Sequence, residues 1–162
     1  MTTALETPFK REILESEANV AVTGALQSNL TNLIDLALLM KQAHWNVIGP
    51  NFRSIHLQLD EIIADVRNAS DEVAERMTTL GVEPDGRAST VAENSRLQAY
   101  PGGFVDVSQT ITLVADALNT AIGELRRAIE KLGDLDPISE DMCIAVSASL
   151  EKHLWMLQAQ EC

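Results

Sequence analysis

The chain has 162 residues and a formal net charge of −12, and 46% of its residues are hydrophobic. The length predicts one domain spanning residues 1–162, and the apolar content excludes a disordered chain. The excess of carboxylates disfavours binding to nucleic acid phosphates and anionic membranes, and it favours cations.

No stretch of the sequence suggests a membrane segment. The longest apolar runs, such as LALLM at 36–40, are far shorter than the roughly 18 residues that a transmembrane helix needs. The N-terminal residues lack the basic and then apolar pattern of a secretory signal. A cytoplasmic location is therefore expected, with association with the nucleoid left open. Cys143 and Cys162 are expected to be reduced thiols, in the core or at the surface, rather than a disulfide.

Two long helices are predicted in the first half of the chain. Apolar residues recur every three or four positions from about Leu14 to Val47, as on a buried helix face. The sequence GPN at 49–51 ends this helix. A second helix is predicted from about Phe52 to Leu80, and Gly81 suits the position directly after a helix.

The second half begins with a long connection and then returns to helices. Glycine and proline interrupt residues 81–105, with one short helix predicted around Val91–Leu97. A third helix is predicted from about Val105 to Leu132. A fourth runs to about Ala159, with Asp136 as its N-cap, a proline at its first position and Trp155 in the core.

Four helices with one long connection indicate a particular topology. A connection of about 24 residues can cross the whole length of a bundle and leave the second and third helices parallel. This arrangement predicts an all-α, ferritin-like four-helix bundle with a short extra helix in the crossover. The alternative is an ordinary bundle with a long flexible loop.

Four polar residues of the second helix have the spacing of metal ligands. His56 and Asp60 are four residues apart, as are Asp71 and Glu75, and all four fall within an arc of roughly 100° on the helix. The two pairs are separated by roughly 22 Å along the helix axis. Since metal–ligand bonds are about 2 Å long, one ion cannot use both pairs of one chain.

A two-fold dimer resolves this distance. If two copies of the second helix lie antiparallel about an axis near Asp65, the pair at 56 and 60 of one chain faces the pair at 71 and 75 of the other. His44, near the end of the first helix, would complete two identical sites. The alternative is a solvated helix face with incidental histidines.

The chemistry of these five residues limits the metals that they would bind. Two imidazoles and three carboxylates suit a divalent ion such as iron, zinc or manganese. The sequence contains no Glu-x-x-His, whereas the usual di-iron site within a single bundle requires two such motifs. An intramolecular di-iron site is therefore excluded.

The same residues carry a resemblance to a known family. The chain resembles the Dps family, the mini-ferritins, over nearly its whole length. The matching segments are KQAHWN (41–46), NF (51–52), His56, LD (59–60), Asp71, AERMTTLG (74–81), YP (100–101) and LEKHLWML (150–157).

The resemblance implies a homododecameric hollow shell built from two-fold dimers, with ferroxidase sites between subunits. In such a shell Fe(II) would be oxidised by hydrogen peroxide in preference to oxygen, and ferric mineral stored inside. It implies that His44, His56 and Asp60 of one chain act with Asp71 and Glu75 of its dimer mate. Trp45 would lie near this site and be oxidised in place of other groups, or would only pack at the interface.

Other features of the chain have weaker counterparts in the family. The acidic residues of GDLDPISED, listed here, resemble those that line the family's three-fold entry pores: Asp134, Asp136, Glu140 and Asp141. The alternative interpretation is that Asp136 caps the fourth helix and that Glu140 and Asp141 interact favourably with its dipole. His153 has no counterpart role and is expected to be structural or at the surface.

The chain departs from the family in the feature that binds DNA. Family members often use a lysine-rich terminal arm, but the first twenty residues here carry a net charge of −2 and the last seven contain no basic residue. Twelve copies would total −144. Appreciable DNA binding near neutral pH is not expected.

Three functions therefore remain to be compared. The first is a peroxide-dependent ferroxidase and iron store. The second is a protein that compacts nucleoid DNA, and the third is a cage whose sites hold zinc or another metal without turnover.

Overall fold

The computed structural model describes residues 8–162, and most of them lie in helices. The helices are α1 (Ser16–Asn46), α2 (Phe52–Thr79), α3 (Ala88–Asn94), α4 (Val107–Leu132) and α5 (Pro137–Gln158). The four long helices and the short one in the connection were all predicted, with boundaries that differ by a few residues. None of the helices in this part of the chain is both long and apolar enough to cross a bilayer.

The four long helices form a bundle with the predicted crossover. α1 packs mainly against α2, α4 packs mainly against α5, and these two layers stack through α1 and α4. The end of α2 contacts the start of α5 through Arg76 and Asp136, while Gln160, just beyond α5, bonds Gln58 near the start of α2. α2 and α5 are therefore antiparallel. Since the short turn after α4 makes α4 and α5 antiparallel too, α2 and α4 are parallel, as the long connection predicted.

A two-residue parallel bridge, which the sequence did not predict, joins the ends of two helices. β1 (Val47–Ile48) follows α1 and pairs with β2 (Val105–Asp106), which precedes α4. The Asp106 carboxylate accepts the backbone N–H of Gln109 at 3.0 Å and so caps α4. These extended residues move the start of α4 from the predicted position 105 to 107. The bridge fixes the chain from Val47, three residues after His44.

The crossover is fastened to α1 by polar side chains. The Gln27 amide forms two bonds with the backbone of Asp85, donating to its carbonyl at 2.9 Å and accepting its N–H at 2.8 Å. Further along, Asn32 accepts the backbone N–H of Arg96 at 3.0 Å, and Ser95 bonds Asp35. These contacts tie the connection to the bundle surface.

Gly81 and the two cysteines have the surroundings that the sequence predicted. Gly81 has a φ of +84°, and it follows α2 as predicted, with Val82 N–H bonded to the Met77 carbonyl at 3.0 Å. Cys143 is a buried free thiol, and burial raises its pKa to about 11. Cys162 is an exposed free thiol.

The prediction that Trp155 lies in the core is wrong. Its side chain is 64% exposed in the isolated chain. The buried face of α5 includes Val146, Leu150 and Leu157. Trp155 follows Leu150 by five positions, which places it about 140° around the helix from that residue.

Candidate metal centre

Three of the five predicted ligands meet within a single subunit. His44 lies in the last turn of α1, and His56 and Asp60 lie one turn apart near the start of α2. One potential ligand atom from each residue lies within 4.8 Å of the other two. Among residues 8–162 this is the one group of three or more potential ligands at such distances. The loop after α1 is short enough to bring the two helix ends together.

The two imidazoles hold each other in one orientation. His44 Nδ1 bonds the carbonyl oxygen of His56 at 2.8 Å, and His56 Nδ1 bonds the carbonyl oxygen of His44 at 2.9 Å. Because a carbonyl only accepts hydrogen bonds, both Nδ1 atoms carry the proton, and both Nε2 lone pairs are free for a metal. The rings stack with centroids 3.7 Å apart. These bonds fix the tautomer that metal binding needs.

The third ligand, Asp60, is accessible and ionised. Its side chain is 46% exposed. Lys41 Nζ lies 2.7 Å from its Oδ1, and that hydrogen bond holds the pKa of the carboxyl below its usual range. His44 Nδ1 lies 3.4 Å from the same oxygen. The carboxylate therefore remains negative and ready to accept a cation.

The remaining two predicted ligands do not join this group within one chain. Asp71 and Glu75 lie further along α2 and are exposed. No hydrogen bond or ion pair involves either carboxylate in the part of the chain that the structure describes. Their separation from His56 and Asp60 is the one that helix geometry requires. That Asp71 and Glu75 bind metal together with residues of a second copy of the chain stays a prediction.

One aromatic side chain contacts the half-site, the group of His44, His56 and Asp60, and another follows His44 in the sequence. Trp45 follows His44 and is 66% exposed. Phe52 meets the ring of His56 edge-on at 6.1 Å. The predicted oxidation of Trp45 stays a prediction.

The four predicted pore residues are divided by their surroundings. Asp134 and Asp141 are exposed, and Glu140 is half-buried. Asp136 is instead buried, and its carboxylate accepts a hydrogen bond from Arg76 at 2.7 Å and another from Ser139. Asp136 occupies the N-cap position of α5 as predicted, although its carboxylate forms no capping bond. The pore assignment stays a prediction, and within its own subunit Asp136 already has a cationic partner.

Three side-chain contacts with charged groups were not predicted from the sequence, although the structural role expected of His153 agrees with its burial. Lys41 stands three positions before His44, a helical spacing that places both on one side of α1 and that could have revealed its contact with Asp60. Arg76 is 60 positions from Asp136, and no sequence pattern links them. His153, expected to be structural or exposed, is buried with Nε2 2.7 Å from Asp65.

Comparisons with known proteins agree with this architecture. The family model described as ferritin-like domain matches residues 23–161. The chain is 41% identical to the fine tangled pili major subunit of Haemophilus ducreyi, covering 85% of this chain and 73% of that one. It is 38% identical to a DNA protection during starvation protein of Mycolicibacterium smegmatis, covering 85% of this chain and 75% of the relative.

Solved structures give the same result in three dimensions. A tetragonal form of Mycobacterium smegmatis Dps superposes with a TM-score of 0.90 at 35% identity, covering 96% of this chain and 94% of that one. Dps from Microbacterium arborescens in its high iron form superposes with a TM-score of 0.88 at 33% identity, covering 93% of this chain and 98% of that one.

Proposed function

We propose that this chain, which belongs to the Dps family of ferritin-like proteins, oxidises Fe(II) at sites shared between two subunits and stores the ferric product. The observation that carries the proposal is the pair of imidazoles fixed by reciprocal Nδ1–H bonds beside the Asp60 carboxylate. A solvated helix face needs no such orientation of two buried or half-buried rings.

The charge of the complete ligand set explains why oxidation is favoured. Two neutral imidazoles suit Fe(II), while three carboxylates favour the higher charge of Fe(III) because they are hard anionic oxygen donors. Asp60 supplies one carboxylate, and Asp71 and Glu75 of the dimer mate supply two. Fe(II) must compete with Lys41 for Asp60, since both are cations within reach of the same oxygen.

Hydrogen peroxide is the proposed oxidant. Two Fe(II) ions each give up one electron, the O–O bond of one peroxide molecule breaks, and two protons complete two water molecules. Delivery of both electrons to one peroxide releases no hydroxyl radical. The protein would therefore remove Fe(II) and peroxide together, which protects against oxidative damage. Molecular oxygen is the alternative oxidant.

The proposed assembly is a homododecamer built from two-fold dimers. The half-site in one chain is incomplete without a second copy, and solved structures of Dps proteins share the fold of this chain. Twelve chains of 17.7 kDa give about 210 kDa. Light scattering separates this mass from that of a dimer, and a dimer that oxidised iron fully would refute the shell while leaving the site intact.

Ferroxidase activity can be separated from simple metal holding by one experiment. Fe(II) is added without oxygen, peroxide follows, and the ferric absorbance is recorded. We expect a rapid rise that Zn(II), as a competing occupant of the same site, slows. No acceleration over protein-free solution would favour the cage without turnover.

Protection by contact with DNA is the second candidate function, because relatives of this chain are named DNA protection during starvation proteins. The net charge of −12 opposes it. The first seven residues, which form part of the N-terminal segment used in that prediction, lie outside the described residues. We expect the assembled protein to leave plasmid mobility unchanged in a gel at low salt, and retention of the plasmid would overturn this expectation.

A further inference from the structure

The end of α2 and the start of α5 are joined by a buried polar cluster of Arg76, Asp136 and Ser139. Arg76 Nη2 donates to Asp136 Oδ2 at 2.7 Å, and Arg76 Nε donates to Ser139 Oγ at 2.9 Å. Ser139 Oγ donates in turn to Asp136 Oδ2. The guanidinium thus bonds both the N-cap residue of α5 and a residue of its first turn. These two residues are 60 and 63 positions away from Arg76 in the chain.

The cluster is shielded from solvent, which makes its geometry specific. The side chains of Arg76 and Asp136 are 12% and 5% exposed, and Ser139 is fully buried. Burial alone would raise the pKa of the Asp136 carboxyl, but the hydrogen bonds from Arg76 and Ser139 outweigh it and hold that pKa below its usual value. The carboxylate therefore stays charged and paired inside the bundle.

Arg76 is the direct neighbour of Glu75, the most C-terminal of the proposed iron ligands. The two side chains point about 100° apart around α2, one toward α5 and the other away from the bundle. Neither Glu75 nor Asp71 has a side-chain hydrogen bond or ion pair within the described part of the chain. The place of Glu75 is therefore set by the backbone of α2, and Arg76 fixes that backbone.

We infer that Arg76, Asp136 and Ser139 are positioning residues that hold the last turns of α2 so that Glu75 reaches the metal in the dimer mate. This inference rests on the proposed function, since it assumes the shared site. Asp136 then serves the site from within its own subunit, on the side of α2 that Arg76 faces, about 100° around the helix from Glu75.

The test uses Co(II) as a visible, redox-stable probe of the assembled protein. Binding affinity and the ligand-field spectrum are measured for the wild type and for Asp136→Asn, Ser139→Ala and Glu75→Gln. Glu151→Gln is the matched control, because Glu151 also accepts bonds from an arginine and a serine, Arg126 and Ser147, but joins α5 to α4 rather than to α2. Melting temperatures are recorded for every variant.

We expect Asp136→Asn to weaken Co(II) binding about tenfold, the lower end of the effect of losing an outer-shell partner, and to change the spectrum. Ser139→Ala should weaken it less, and Glu151→Gln should match the wild type. If an assembled Asp136→Asn or Ser139→Ala protein melts earlier but binds Co(II) as the wild type does, the cluster is only structural and the inference fails. If Asp136→Asn does not assemble, Ser139→Ala decides alone.

Glu75→Gln separates the positioning role of the cluster from the existence of the shared site. Weakened binding in this variant, with wild-type binding in the assembled cluster variants, overturns the positioning role and leaves the proposed site standing. Wild-type binding by Glu75→Gln itself refutes the shared site, and the inference falls with it.

Discussion

The two halves of α2 each carry two proposed iron ligands, but they hold them in different ways. His56 and Asp60 are bonded to His44 and Lys41 of α1 within hydrogen-bonding distance. Asp71 and Glu75 project from the helix with no such bonds in the described residues. The first pair is organised by its neighbours, and the second is placed only by the backbone that carries it.

In the proposed shared site, this difference separates two ways of placing a metal ligand. The imidazoles, which must have a defined tautomer to bind metal, are fixed before assembly. Carboxylates can bind through either oxygen, so they need only arrive at the right place. Anchoring of the helix therefore replaces anchoring of the side chains in the second half. The following predictions test that contrast, from the largest expected change in free energy to the smallest.

The largest effect is expected from removing the anchor of the second half. Arg76→Met leaves the Asp136 carboxylate buried without its cation, which should lower the free energy of unfolding by about 3–5 kcal/mol. Arg126→Met removes a mostly exposed ion pair and should cost about 1 kcal/mol or less. Urea unfolding at one protein concentration measures both. Equal losses of unfolding free energy in the two variants would show that the buried cluster stabilises the fold no more than an exposed ion pair does.

The second prediction compares the ligands of both halves directly. Asp60→Ala and Glu75→Ala should each slow peroxide-driven Fe(II) oxidation by about a hundredfold or more, at or beyond the range for loss of an outer-shell partner. The nearby exposed residues Glu61 and Glu72 provide matched controls, and their alanine variants should keep wild-type rates. If only one of these two variants lost oxidation rate, the half of α2 that carries the other residue would not contribute to the site.

The third prediction concerns acid stability. The folded-state pKa of Asp136 lies below its ordinary value, so its contribution is complete above about pH 4 and is lost as the pH falls through the lowered pKa. The stability difference between wild type and Asp136→Asn should therefore be greatest near neutral pH and shrink below about pH 4. Urea midpoints across this range measure it, and a difference that stays constant with pH would contradict it.

The smallest effect is expected at Lys41, in the first half. Lys41→Met removes the cation that shares Asp60, so Co(II) or Fe(II) should bind a few-fold more tightly, the size of a partly exposed ion pair. Lys131→Met, at an exposed lysine of α4, is the control. Weaker binding by Lys41→Met would mean that the lysine orients Asp60 for the metal instead of competing with it.

The sequence predicted the features that depend on spacing along one helix. The periodicity of apolar residues predicted the long helices, and the long connection predicted the parallel arrangement of α2 and α4. Fixed helix geometry placed His56 beside Asp60 and far from Glu75, because spacing along one helix needs no knowledge of tertiary packing.

What the sequence did not reveal depends on contacts between distant parts of the chain. The Arg76–Asp136 pair requires the exact meeting of two helix ends, and the bridge of Val47 with Val105 is too short to give a strand pattern. Trp155 is large and apolar, which suggested the core. The angle of Trp155 around α5 instead places its side chain at the surface of the isolated chain.

Whether each iron site is shared between two chains can be tested by complementation. A chain with Asp60→Ala and a chain with Glu75→Ala are co-produced with different tags, and their mixed assemblies are isolated. Random pairing makes about half of the dimers mixed, and each mixed dimer has one intact site of two, so about a quarter of wild-type ferroxidase activity should return. Activity no higher than that of either variant alone would contradict a site built from two subunits.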